Sequence, residues 1–225
     1  MNNRFALLLI LFLPFIPGYL SAQTNDAQLW MGVNLEKKLT PEFSLYFAEE
    51  LRMNENITEA GTIFSDLGLG YSITPGLKVS ANYRFISKRR IDDSYSMRHR
   101  YYFDLSYRHK FMPLILSVRA RYQSQYTDIL SSEDGKIPEN YERTRLKLGF
   151  DTGKAFEPYL TTEAFIPVGK QYDSPVIDCM RYTAGMEYKF YNRHSIDAWY
   201  MIQHEMNVPD PETDFVIGLG YSFVF

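Results

Sequence analysis

Ten arginines fall in six stretches of this chain, several at a spacing of two: Arg52, Arg84, Arg98 with Arg100 and Arg108, Arg119 with Arg121, Arg143 with Arg145, and Arg181. A spacing of two puts cations on one face of an extended strand. Cations so placed can pair with carboxylates, hold an anion, or line a pore that selects anions. They cluster in the middle of the chain. Carboxylates lie mainly elsewhere, at Glu50, Asp66, Glu163, Glu187, Asp197 and Glu205. Two arrangements follow: ion pairs that hold a narrow lumen shut, or a basic wall that selects anions. The residues expected to carry either one are Glu50, Arg52, Arg84, Arg98, Arg100, Arg119, Arg121, Arg143, Arg145, Glu163, Arg181 and Glu187.

Other chemistry finds little support. The four histidines, His99, His109, His194 and His204, accompany no serine in a recognisable nucleophile motif. An enzyme would have to assemble a Ser–His pair from distant strands. No close histidine pair and no cysteine cluster gives metal-ligand spacing. Cys179 is the single cysteine, so no internal disulfide forms. Gly68 with Gly70 and Gly218 with Gly220 alternate along strands, which predicts relief of crowding inside a curved barrel rather than a phosphate loop. The sequence thus offers no catalytic residue, metal site or cofactor motif.

The elements that position the charges are strands. Thr213 to Phe225 shows the pattern most clearly: Phe215, Ile217, Leu219, Tyr221, Phe223 and Phe225 alternate with Asp214, Gly218, Gly220 and Ser222. Period two is a strand with two different faces. Similar stretches span Gln28 to Leu39, Phe43 to Met53, Ile63 to Ile73, Leu77 to Ser87, Tyr95 to Phe111, Leu114 to Tyr126, Tyr141 to Asp151, Pro158 to Ile166, Met180 to Phe190 and Ile196 to Met206. Short turns such as Thr74-Pro75-Gly76 follow the odd-numbered strands, and longer loops follow the even ones. The longest predicted loop is Thr127 to Asn140.

This pattern predicts an all-β fold, a transmembrane antiparallel up-and-down β-barrel of 10–12 strands, with its carboxyl terminus on the periplasmic side. Eleven strands are counted, whereas bacterial single-chain barrels have even numbers. Either one strand is merged or split, or the amino-terminal segment crosses the lumen. A charge facing lipid at the midplane costs about 2–4 kcal/mol for Arg or Lys, so the arginines should point inward. A soluble sandwich would reverse the faces.

Met1 to Ala22 reads as a cleaved secretory signal: Arg4, a short apolar core from Phe5 to Ile16, and Leu20-Ser21-Ala22 as the cleavage site. Residues 23–225 then form a single domain. Aromatics make up 16% of the chain, with 18 Tyr and 16 Phe, which suits membrane girdles. A net charge of −3 gives no case for a nucleic-acid partner.

Glu50-Leu51-Arg52, Gly70-Tyr71, Tyr83-Arg84, Arg98-His99-Arg100, the Arg119/Arg121 and Arg143/Arg145 pairs, Pro158-Tyr159 with Glu163, and Arg181 with Gly185 occur in this order. In that order and spacing the chain resembles a family of bacterial outer-membrane barrels known as domain of unknown function 2490. The resemblance implies a barrel and an envelope location, and no established activity. By likeness to barrels generally, Tyr221, Phe223 and Phe225 would be read by the barrel assembly machinery.

The expectation is a non-enzymatic barrel in the bacterial outer membrane, in contact with its lipid. It would be structural, or a narrow channel or binding protein for a small, possibly anionic solute. The alternatives are a lipid-modifying hydrolase of the outer membrane, and a soluble periplasmic β-sandwich or barrel that binds a ligand.

Overall fold

The computed structural model describes residues 25–127, 134–169, 176–191 and 193–225. The segment read as a signal lies outside them, as do parts of two predicted loops. Eleven strands follow one another: β1 (Asn25–Lys38), β2 (Phe43–Asn54), β3 (Glu59–Ser72), β4 (Leu77–Arg89), β5 (Tyr95–Phe111), β6 (Leu114–Thr127), β7 (Glu139–Phe150), β8 (Phe156–Val168), β9 (Cys179–Phe190), β10 (His194–Glu205) and β11 (Thr213–Val224).

Each strand pairs antiparallel with the next, and β1 pairs with β11 in parallel, closing the barrel. The eleven-strand count therefore stands, and β1 takes its place in the wall. Purely antiparallel closure does not occur. An odd number of up-and-down strands leaves the first and last pointing the same way, so only a parallel pair can join them.

Two loops are shorter than their polarity suggests. Alternation ends one strand at Met53 and resumes at Ile63, yet only 55–58 separates β2 from β3, with Asn54 and Glu59 already paired. Likewise β4 runs through Arg89, which pairs with Tyr95. Backbone pairing is indifferent to side-chain polarity once the register is set. Glu55, Asn56 and Ile57 turn the chain with φ of 51°, 56° and 67°.

At the opposite end, side chains close the turns. Thr40 Oγ1 accepts the Phe43 N–H at 3.0 Å, Thr74 Oγ1 accepts the Leu77 N–H at 3.1 Å, and Asp151 Oδ1 accepts the Gly153 N–H at 2.8 Å. Such local bonds are what Thr and Asp offer a turn.

The two faces separate as the alternation requires. Leu67, Phe103, Leu160 and Ile217 are all more than half exposed on the outside. Asp66, Arg121, Arg143 and Glu163 are buried inside. Apolar side chains outside and ions inside are the reverse of a sandwich in water. Among the described residues no helix is long and apolar enough to cross a membrane; a barrel would cross with its strands.

Candidate functional site

Inside the barrel, arginines and aromatics interleave around the wall. Starting at β6, the Arg121 guanidinium lies 3.8 Å from the Tyr102 ring centroid. Arg84 lies 5.8 Å from Tyr102 and 3.6 Å from Phe64. Arg52 lies 5.1 Å from Phe64 and 3.5 Å from Trp30. Arg181 continues the series, 5.3 Å from Trp30 and 4.6 Å from Phe165. Arg143 ends it 4.1 Å from Phe165. Arg143 and Arg121 are themselves cross-strand partners on β7 and β6, so the series forms a collar. Each such contact contributes roughly 0.5–2 kcal/mol, more where water is excluded.

The aromatics of this collar were not legible as luminal. They occupy the polar register: Tyr102 sits between Arg100 and Asp104, and Trp30 between Gln28 and Gly32. An apolar residue out of phase with its strand's outer face was the available signal.

Many carboxylates pair along the wall with their own or a nearby strand, while Lys78 of β4 reaches Glu36 of β1 at 3.5 Å and Arg108 of β5 reaches Glu157 of β8 at 3.8 Å, spanning several strands. Glu50 holds Arg52 at 2.6 Å within β2. Asp66 of β3 accepts from Arg84 Nε of β4 at 2.9 Å. Asp104 of β5 takes both prongs of Arg121 at 2.6 and 2.7 Å. Glu163 of β8 joins Arg119 at 2.5 Å and Arg143 at 3.0 Å. Glu187 lies 3.9 Å from Lys189, toward the short-turn end.

Four of the expected lumen arginines have no ion pair among the described residues. Arg100 donates to Gln125 Oε1 at 3.1 Å, Arg181 donates to Gln203 Oε1 at 2.7 Å, and Arg98 reaches only Ser96 Oγ at 3.5 Å. Arg145 lines the cavity at the short-turn mouth opposite Glu163 in register, with no ion pair within 4 Å among the described residues. The leading charge interactions of Arg100 are with Arg84, Arg52, Arg121 and Arg181, all cations. Arg100 is half-buried in the wall, so its charge is less screened than in bulk water.

The collar separates two chambers that share Arg84. One of about 430 Å³ opens toward the short turns and contains Lys78, Arg119 and Arg145. The other, of about 450 Å³, opens toward the longer loops. Its lining carries six cations (Arg52, Arg84, Lys88, Arg98, Arg100, Arg181) against Glu139, Asp178 and Glu205. The chain as a whole is acidic, at −3, so the cationic excess is a local property of the lumen.

Asp178, just before β9, has an Oδ1 shielded from solvent and without a hydrogen-bond partner among the described residues. Burial pushes its carboxyl above the usual range, partly offset by the Tyr141 hydroxyl.

The histidines lie on the outer face. His99, His194 and His204 are bonded through Nδ1 to Tyr83 at 2.7 Å, Tyr221 at 2.6 Å and Thr213 at 2.9 Å. His109 Nδ1 lies 3.3 Å from the Tyr107 hydroxyl. No histidine is bonded to a serine among the described residues. Among the same residues no group of three or more His, Cys, Asp or Glu could hold a metal ion.

A closed strand ring with an apolar exterior and an ionic, aromatic-lined interior defines a porin-like β-barrel. The chain belongs to the family described as protein of unknown function (DUF2490), whose model matches residues 27–213. No curated protein matches it. Among solved structures, it is similar to the beta domain of the Bordetella autotransporter Brka, with a TM-score of 0.48 and 11% identity over 79% of this chain and 82% of that one. It is also similar to the anion-selective porin from Comamonas acidovorans, with a TM-score of 0.38 and 13% identity over 81% of this chain and 53% of that one. A third, OpdL from Pseudomonas aeruginosa, has a TM-score of 0.38 and 14% identity over 79% of this chain and 55% of that one.

Proposed function

We propose that the chain is a non-enzymatic outer-membrane barrel whose lumen binds small anionic solutes and passes them through a narrow channel. The observation that carries the anionic part is Arg100: a half-buried guanidinium bonded to Gln125, with no ion pair among the described residues, which shares a chamber of about 450 Å³ with Arg52, Arg84, Arg98 and Arg181. Like charges gathered in a low-dielectric wall repel one another strongly unless an anion is shared among them. Rings of charged side chains select permeant ions by the same physics.

Membrane insertion is supported by the outward apolar belt, which a soluble barrel would leave against water. In lipid that belt is solvated, and closure leaves no unpaired edge. In this reading residues 1–22 direct export, and Tyr221, Phe223 and Phe225 present the last strand to the assembly machinery.

Two measurements test the proposal. The refolded protein should need detergent and migrate differently on gels before and after boiling. In planar bilayers under a salt gradient its reversal potential should show anion preference, and Arg100→Gln should move that potential toward cations. Solubility without detergent would refute the membrane reading. Absence of any anion-selective current, together with no measurable binding of carboxylates or phosphate, would refute the anionic reading.

A further inference from the structure

The chamber on the long-loop side carries charges of both signs, several of them in no salt bridge among the described residues. Arg100 and Arg181 lie on its inner part, next to the collar, each bonded only to a glutamine. At its mouth are Asp178 and Glu205. Asp178 Oδ1 is orphaned in a shielded position. Glu205 Oε2 receives only a long backbone contact of 3.4 Å from Glu212. The backbones that carry the two carboxylates are adjacent. Glu205 is the cross-strand partner of Cys179, and the Met206 N–H donates to the Asp178 carbonyl at 2.8 Å.

Neither set neutralises the other. Arg181 pairs with Gln203 while Cys179 pairs with Glu205, which makes Arg181 and Glu205 diagonal neighbours. Diagonal positions lie about 7–8 Å apart. No ion pair within 4 Å joins Arg100 or Arg181 to Asp178 or Glu205 among the described residues. A buried carboxylate oxygen without a donor is costly, and so is a group of guanidinium charges without a counter-ion. One molecule with an anionic end and an ammonium end several bonds apart would satisfy both.

We propose that this chamber takes a dipolar solute, with its carboxylate or phosphate against Arg100 and Arg181 and its ammonium between Asp178 and Glu205. This rests on the anion-binding reading and adds a requirement to it. The collar rings, already covered by arginines, form the floor. Gln123 and Gln125 supply further polar groups beside the anionic end.

The test uses the full-length protein refolded in detergent and titrated calorimetrically with three probes of equal chain length: 6-aminohexanoate, hexanoate and hexylamine. The dipolar probe should bind at least about tenfold more tightly than hexanoate, the discrimination expected of one charge-assisted contact. In the Asp178→Asn/Glu205→Gln double variant the ratio of the two affinities should fall to near one. Hexanoate binding as tightly as 6-aminohexanoate to the unaltered protein would overturn the dipolar proposal and leave the anion site standing. Failure of both acids to bind would overturn the two readings together. The comparison among probes needs no variant, so a folding defect cannot mimic either result.

Discussion

The indole of Trp199 covers the backbone of its cross-strand partner Gly218, so closely that a Cβ built on Gly218 would fall 1.9 Å from Trp199 Cε2. Trp199 in turn meets Trp30 edge to face, with ring centroids 5.7 Å apart. Trp30, Met201 and Val216 complete an apolar cluster on the inner wall at the parallel seam. The closure of the barrel is thus stitched by packing where the rest of the wall is stitched by ions.

Gly218→Ala should therefore destabilise the barrel by about 1–3 kcal/mol, the usual cost of overpacking. Gly220→Ala on the same face should be tolerated, since its nearest neighbour would be Asp197 Cβ at 3.7 Å. Denaturant unfolding in detergent, followed by tryptophan fluorescence, compares the two. Equal stability of both variants would contradict the packing described.

Glu163 neutralises Arg119 and Arg143 together. Glu163→Gln should cost about 3–5 kcal/mol, because it strands two buried guanidinium charges. Adding Arg119→Met should recover part of that loss, which a double-mutant cycle would read directly. Strict additivity of the two changes would show that the pair is not coupled.

Phe225 completes the seam through its backbone: its N–H donates to Glu36 O at 2.9 Å, and its carbonyl accepts the Lys38 N–H at 2.9 Å. Its ring stacks on Phe223 at 5.2 Å and lies 4.5 Å from Lys37 Nζ. Deleting Phe225 should reduce the yield of heat-modifiable barrel in membranes more than it alters ion selectivity of the barrels that form. A deletion variant that inserts at the normal level would remove the proposed role of the last strand in assembly.

The turn between β7 and β8 should respond to acid. Lys110, which bonds the Asp151 carboxylate, and the Gly153 N–H hold that carboxyl below its usual range. The folded state then binds a proton less readily than the unfolded chain. Its contribution is fully present above the ordinary carboxylate range, near pH 4, and is lost as pH falls through the lowered value. Midpoints of unfolding measured from pH 7 to pH 2 should fall less steeply in Asp151→Asn. Parallel curves would show that this contact does not matter.

Much of this was written locally. Period two along β5 placed Arg98, Arg100, Asp104 and Arg108 on one face and Met97, Tyr101, Phe103 and Leu105 on the other, because side chains on a strand alternate whatever the strand pairs with. The turn after β3 announced itself through Thr74-Pro75-Gly76. The same alternation, with the cost of a charge against lipid, told which face goes inside.

What alternation cannot encode is stagger. Which inward residue of one strand meets which of the next depends on register, and register is fixed only when all eleven strands close together. Hence Trp30, Phe64, Tyr102 and Phe165 read as isolated exceptions to the polar face, and only the closed barrel sets them between Arg52, Arg84, Arg121, Arg143 and Arg181. The parallel pairing of β1 with β11 likewise has no local signature, since it joins residues nearly two hundred positions apart, such as Trp30 and Gly218. Local alternation thus wrote the strands and their two faces. Tertiary closure decided which arginines find a carboxylate and which, like Arg100 and Arg181, are left facing the chamber.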